Sequence, residues 1–100
     1  MDLTGRTALV TGGSGDIGAA ISMALAKLGA NVLVHTYQNL KAAKLVVEGI
    51  KNLGKNAKIL QANLLKREEV FRMSDEILSM GSLDILVNNA GTPIKRVPWE

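Results

Sequence analysis

The hydrophobic pattern of this 100-residue chain changes period repeatedly, and that alternation most constrains its fold. Short apolar runs, typical of strands buried on both faces, alternate with helical patterns of period 3.6. The predicted strands cover 7–10, 31–35, 58–61 and 84–87. A glycine closes each predicted helix, at Gly29, Gly54 and Gly81. The order β-α-β-α-β-α-β predicts a parallel sheet connected by right-handed crossovers.

Each predicted helix carries an apolar face that would pack against this sheet. Asn39 is the expected N-cap of the second helix, and the third begins near Lys66 or Arg67. The three predicted inner faces are Ile17, Ile21, Ala24, Leu25 and Leu28 in the first helix, Ala43, Val46, Val47 and Ile50 in the second, and Val70, Met73, Ile77 and Met80 in the third.

Composition excludes several classes of function. The chain has no cysteine, so disulfides and thiolate metal sites are ruled out, and its scattered carboxylates indicate no metal site. A net charge of +3 comes from dispersed basic residues, and only three residues are aromatic, so no nucleic-acid surface is expected. The apolar runs are too short to cross a membrane, and the first residues lack the pattern of a signal peptide. A cytoplasmic location is the expectation.

The strongest chemical signal is the glycine-rich turn between the first strand and the first helix, Thr11-Gly12-Gly13-Ser14-Gly15-Asp16-Ile17-Gly18. Glycines there let an anion approach the backbone amides and the positive end of the helix dipole. Gly18 would let the helix pack closely on the first strand. The turn therefore predicts a diphosphate site formed by Gly12, Ser14, Gly15, Ile17 and Gly18.

Together with Asn88-Asn89-Ala90-Gly91 after the fourth strand, this turn resembles the short-chain dehydrogenase/reductase family over nearly the whole chain. The resemblance implies a Rossmann-like, doubly wound sheet of order 3-2-1-4 that is the first half of the fold. Residues 1–91 would bind the dinucleotide, and 92–100 would be a loop leading into the catalytic half. The implied activity is hydride transfer between a nicotinamide cofactor, NADP or NAD, and a carbonyl or alcohol substrate.

The turn departs from the family pattern at Asp16, where the dehydrogenases usually have glycine. Gly12, Gly15 and Gly18 instead match the spacing of the extended, epimerase-like branch, which makes a sugar-nucleotide epimerase an alternative. That branch does not normally carry the motif that follows the fourth strand here, so the dehydrogenase branch is favoured. A carboxylate beside a diphosphate would be repelled, so the Asp16 side chain is expected to point outward.

The resemblance also implies the remaining cofactor contacts. They are Thr36 at the end of the second strand, Asn63 and Leu64 after the third, and Asn88, Ala90 and Gly91 after the fourth. Asn88 and Asn89 would tie the fourth strand to its neighbours. Residues 35–38 include no acid that would select NAD, so NADP is favoured. His35 and Lys41 are candidates for its 2′-phosphate, and an ordinary strand-end histidine with no role in binding is the equal alternative for His35.

No catalytic residue is assigned within the chain. Tyr37 and Lys41 have the spacing of the family's catalytic pair but lie at the adenosine end, so the match is interpreted as coincidence. The chain would then be a fragment or a natural remnant, inactive alone, and a non-catalytic dinucleotide-binding module is a second alternative. An apolar fourth strand at the sheet edge predicts marginal stability, or completion by further residues or another copy of the chain.

Overall fold

The structure, a computed structural model, describes residues 1–90, and the predicted loop 92–100 lies outside them. Its seven elements alternate as the sequence predicts. They are β1 (Thr7–Thr11), α1 (Asp16–Lys27), β2 (Asn31–Thr36), α2 (Leu40–Asn52), β3 (Ala57–Gln61), α3 (Arg67–Ser79) and β4 (Ile85–Asn88). The strands are parallel and lie in the order β3-β2-β1-β4, which confirms the predicted topology.

The sheet separates two hydrophobic layers. On one face Val10 and Val34 pack with residues of α1 and α2, and on the other Leu9 and Leu33 pack with Met73 and other residues of α3. The continuous apolar runs of β1 and β2 are buried because both faces of these central strands are covered.

The predicted inner face of α1 is only partly confirmed, because Ile21 and Leu25 are half-buried and pack against the core, whereas the other three predicted residues do not. The buried residues are Gly18, Ser22 and Ala26, whereas Ile17 is 69 % exposed and Ala24 and Leu28 are also exposed. Small residues are buried here because α1 lies very close to the chain that follows β1.

The faces of the other two helices agree better with the sequence. Ala43, Val47 and Ile50 of α2 are buried, and Asn39 caps that helix by accepting a hydrogen bond from the Ala42 amide at 3.4 Å. In α3 the predicted stripe is buried up to Ile77, but the helix ends at Ser79 and Met80 is exposed. No helix within residues 1–90 combines the length and hydrophobicity that crossing a membrane requires.

Candidate functional site

Because the strands are parallel, all four carboxyl ends lie at the same end of the sheet, and the predicted site residues follow them. β1 leads into the glycine turn, in which Gly12 has φ +63°, a backbone conformation that favours glycine. The turn is fixed by hydrogen bonds from the Gly13 amide to the His35 carbonyl at 2.9 Å and from the Gly15 amide to the Gly12 carbonyl at 3.2 Å.

Four backbone amides within residues 14–18 have no hydrogen-bond acceptor in the described part of the chain. Within residues 1–90, the backbone N–H groups of Ser14, Asp16, Ile17 and Gly18 donate no hydrogen bond. Gly15 is the N-cap of α1 and has no side chain to satisfy them. The free amides and the positive end of the α1 dipole together favour an anion at this position.

Gly18 sets how closely α1 approaches the turn. A Cβ on this residue would lie 2.1 Å from the Gly12 carbonyl oxygen and 2.8 Å from the Gly13 Cα. The predicted close packing at Gly18 is therefore confirmed, although its main contact is the turn rather than β1 itself. Gly15 is different, because its nearest neighbour would be 3.6 Å from an added Cβ.

The buried Thr11 hydroxyl joins β1 to the segment after β4. It donates to the Asn88 side-chain oxygen at 3.1 Å and accepts from the amides of Asn89 at 3.0 Å and Ala90 at 3.2 Å. The Asn89 side chain also donates to the Gly12 carbonyl at 3.3 Å. The expected tie between the two asparagines and β1 is confirmed, and Ala90 is placed beside the turn.

The end of β2 contacts the same turn through Thr36. Its buried hydroxyl accepts a hydrogen bond from the Ser14 hydroxyl at 3.2 Å and another from the Asn39 amide at 3.2 Å. Ser14 and Thr36, both predicted site residues, are thus in direct contact. Asp16 is exposed, as its expected outward orientation requires.

His35 lies beneath the turn and is only 3 % exposed. Its Nδ1 accepts from the Gly12 amide at 2.9 Å, and its Nε2 lies 2.8 Å from the Ala62 carbonyl oxygen. Burial lowers the pKa of the imidazole from its ordinary value of 6.5, and the bond to Ala62 opposes this effect to a smaller degree. Both ring nitrogens are engaged by the protein, so the hypothesis that His35 binds a 2′-phosphate is wrong.

A cleft of about 400 Å³ opens beside these groups. Its lining residues are His35, Tyr37, Asn63, Leu64, Leu65 and Ala90. The Asn63 side-chain oxygen accepts from the Leu65 amide at 3.0 Å, which shapes the loop after β3. A second cleft of about 430 Å³, which also includes Tyr37, is lined by residues of α2, β3 and α3 and contains none of the predicted site residues.

The structure thus brings the predicted residues to one edge of the sheet, with Gly91 outside the described part of the chain. The sequence indicates no role for Thr11, and of the two alternatives for His35 the contact with a 2′-phosphate is wrong. The position of Thr11 and His35 at the ends of β1 and β2 was the only sequence signal that they belong to the site. Their partners, however, are 77 and 23 residues away in sequence, so the contacts themselves were hidden.

A parallel sheet of this order with a glycine turn after β1 defines a Rossmann-type unit. The sequence matches the model of the short chain dehydrogenase family over residues 6–99, and the chain belongs to that family. The match favours the dehydrogenase branch over the epimerase-like alternative.

Comparison with individual relatives supports the same family. The chain is 46 % identical over 87 residues to the 3-oxoacyl-acyl-carrier-protein reductase of Staphylococcus epidermidis, covering 86 % of this chain and 36 % of the relative. It is similar to a short chain dehydrogenase of Burkholderia cenocepacia in complex with NADP, with a TM-score of 0.83 and 44 % identity, covering 92 % of this chain and 38 % of that one. A metagenomic short-chain oxidoreductase in complex with NADP gives a TM-score of 0.85 at 34 % identity, covering 90 % of this chain and 41 % of that one.

The chain spans about a third of the length of the curated relatives it matches, 34 % and 36 % for the first two. The matched part contains the glycine turn and the segment after β4. The activity and substrates of a whole enzyme are therefore matters of proposal.

Proposed function

We propose that this chain binds a nicotinamide dinucleotide and forms the cofactor-binding part of an oxidoreductase acting on a carbonyl or alcohol. The observation that carries the proposal is the group of unpaired amides of Ser14, Asp16, Ile17 and Gly18 at the start of α1. Amides at a helix N-terminus without a capping side chain suit a diphosphate. The bound nicotinamide supplies the hydride chemistry, and this chain holds the dinucleotide in place.

The adenosine half of the dinucleotide is proposed to occupy the cleft of about 400 Å³. Leu64 and Ala90 offer apolar surface for a flat ring. The Asn63 side-chain NH₂ group has no partner within residues 1–90 and is free to donate to an acceptor on the base. Thr36, which accepts a hydrogen bond from Ser14 and lies between His35 and Tyr37 of this cleft in sequence, is proposed to contact the ribose and the adjoining phosphate.

NADP is the proposed cofactor rather than NAD. No acid lies at the end of β2, and the first turn of α2 has none either. That turn instead contains Lys41, and a cation near a helix N-terminus favours an added phosphate. Two structural relatives are complexes with NADP, which supports this choice. With His35 excluded, Lys41 is the remaining candidate of the two.

The chain is proposed to be inactive by itself. Tyr37 lines the cleft assigned to adenosine, so its spacing to Lys41 has no part in proton transfer. Within residues 1–90, no other tyrosine is present to act as the acid that the family's chemistry uses. Substrate choice and the expected cytoplasmic location stay predictions.

Calorimetric titration of the protein with NADPH and NADH tests the proposal, with a proline substitution that removes one free amide. Asp16 is the first residue of α1, and Gly15 before it has φ −76° and ψ 171°, which suits a residue preceding proline. Asp16→Pro should therefore fold normally. It should bind NADPH about tenfold more weakly than Asp16→Ala, because a hydrogen bond to a charged group contributes about 1.5 kcal/mol or more.

Asp16→Ala is the matched control, because it removes the same carboxylate but keeps the amide. Its affinity should be within about threefold of wild type, since an exposed charge is well screened. Equal affinities of the proline and alanine variants would count against the anion site. Equal affinities of the wild type for NADPH and NADH would count against the preference for NADP.

A further inference from the structure

His35 connects two separate loops of the candidate site. It lies on β2 between β1 and β3, directly opposite Leu60. Its Nδ1 is 2.9 Å from the Gly12 amide nitrogen in the glycine turn, and its Nε2 is 2.8 Å from the Ala62 carbonyl oxygen in the loop after β3. A backbone N–H can only donate, so Nδ1 accepts and carries no proton. The ring is therefore the neutral Nε2–H tautomer, with both nitrogens used.

We propose that neutral His35 is a positioning residue that holds the glycine turn against the loop after β3, and that protonation of its Nδ1 releases the turn and weakens binding of the dinucleotide. The inference rests on the function proposed above and adds a pH-dependent control of the same site. In this proposal the Gly12 amide donates to His35 and is not available to bind the diphosphate.

The chemistry of the contact supports this assignment. A proton on Nδ1 would point at the Gly12 N–H, so two donors would face each other where one hydrogen bond now exists. The buried ring could not hydrate the resulting charge. Among residues 1–90, no charged side chain hydrogen-bonds to the ring. Asp16 on α1 is exposed, Tyr37 lines the adjacent cleft, and the Glu69 carboxylate on α3 accepts from the Asn63 amide.

The direction of the pH effect follows from the lowered pKa of His35. Well above the ordinary value of 6.5 the imidazole is neutral in folded and unfolded protein alike, and affinity is constant. Below it the unfolded chain takes up the proton first, so folding stability falls as pH drops. Dinucleotide affinity falls once the pH passes the lower pKa of the folded protein, by up to about tenfold per pH unit.

The first test needs no ligand. Nitrogen NMR of the histidine ring in the intact protein, from about pH 7.5 to about pH 5, reports tautomer and titration. The His35 signal is identified by its absence from His35→Asn. The proposal expects the Nε2–H tautomer, a pKa below 6.5, and a shift of the Gly12 amide signal in step with the ring. A pKa at or above 6.5, or a Gly12 signal that does not follow the ring, would overturn it.

The second test measures NADH affinity over the same pH range. NADH is chosen because it lacks a 2′-phosphate that would itself titrate. In His35→Asn the side-chain oxygen can still accept from Gly12, but the contact with Ala62 is lost and nothing titrates, so affinity should be lower than in wild type at about pH 7.5 and stay flat on acidification. His35→Leu should bind about tenfold more weakly than wild type at about pH 7.5, and its affinity should also stay flat on acidification.

The same fall in affinity in wild type and His35→Asn would overturn the proposal. Absence of NADH binding at every pH would instead contradict the proposed function. Whether His35 holds the glycine turn against the loop after β3 is then decided by the ring spectrum, which does not depend on any ligand.

Discussion

At the scale of single residues, the site is organised by side chains that serve other parts of the protein rather than a ligand. The Thr11 hydroxyl, the His35 ring and the Asn89 amide each satisfy backbone groups in the loops around the sheet edge. They leave the amides at the start of α1 unpaired. The amides are free because they begin a helix whose N-cap, Gly15, has no side chain, and the bonds made by their neighbours keep the surrounding loops in place.

Thr11 offers the clearest test of this arrangement. Thr11→Val keeps the shape of the side chain but leaves the amides of Asn89 and Ala90 without their acceptor. Unfolding in urea should show a loss of about 1–3 kcal/mol, because buried donors lose their partner. Thr11→Ser keeps the hydroxyl and should lose less. If the Thr11→Val and Thr11→Ser variants had the same free energy of unfolding, the hydroxyl would not hold the segment after β4.

At the scale of elements, the sequence predicts most of the fold because strands buried on both faces are apolar throughout. β1 and β2 show this directly, and the glycine turn between strand and helix is a local signal. The inner face of α1 was not predictable in the same way. Hydrophobic periodicity finds large apolar residues, whereas the fully buried residues of this face are the small Gly18, Ser22 and Ala26.

The site was predictable as a location but not as a set of contacts. The order of the strands places the ends of β1 and β4 side by side, which brings the two motifs together. Which side chain bonds which loop depends on pairs far apart in sequence, such as Thr11 with Asn88. The role of His35 was not predictable for the same reason, because nothing near it in sequence shows that both ring nitrogens form hydrogen bonds within the protein.

The close approach of α1 predicts a sharp contrast between two glycines. Gly18→Ala places a Cβ 2.1 Å from a backbone oxygen that cannot move without displacing the turn. It should destabilise the protein by about 1–3 kcal/mol and abolish dinucleotide binding. Gly49→Ala in α2 meets only the flexible end of Met23 at 3.2 Å. It should stabilise by up to about 1 kcal/mol, because alanine favours helix.

Thermal unfolding of both variants beside wild type measures the contrast. Similar melting temperatures for Gly18→Ala and wild type would mean that the turn and α1 can separate without cost. Gly18 would then not be needed for close packing of α1 on the turn.

At the scale of the whole molecule, the two edges and two faces of the sheet are unequally covered. Within the described residues, one face packs against α1 and α2 and the other against α3 alone. Leu86 of β4 pairs in register with Leu9, yet Leu9 is fully buried and Leu86 is 37 % exposed. Phe71 and Leu78 on α3 are also exposed apolar side chains. Within residues 1–90, β4 pairs only with β1, so apolar surface and an unpaired strand edge coincide.

Such an edge predicts that the 100-residue chain self-associates as its concentration rises. In sedimentation velocity, Leu86→Thr should reduce the associated fraction several-fold, because threonine keeps the preference for strand but removes apolar surface. Leu45→Thr is the matched control, since Leu45 is 63 % exposed on α2, away from β4, and should leave association unchanged. A wild-type chain that stays monomeric and unfolds cooperatively at every concentration would show that three helices on four strands already suffice, and that the exposed edge of β4 needs no partner.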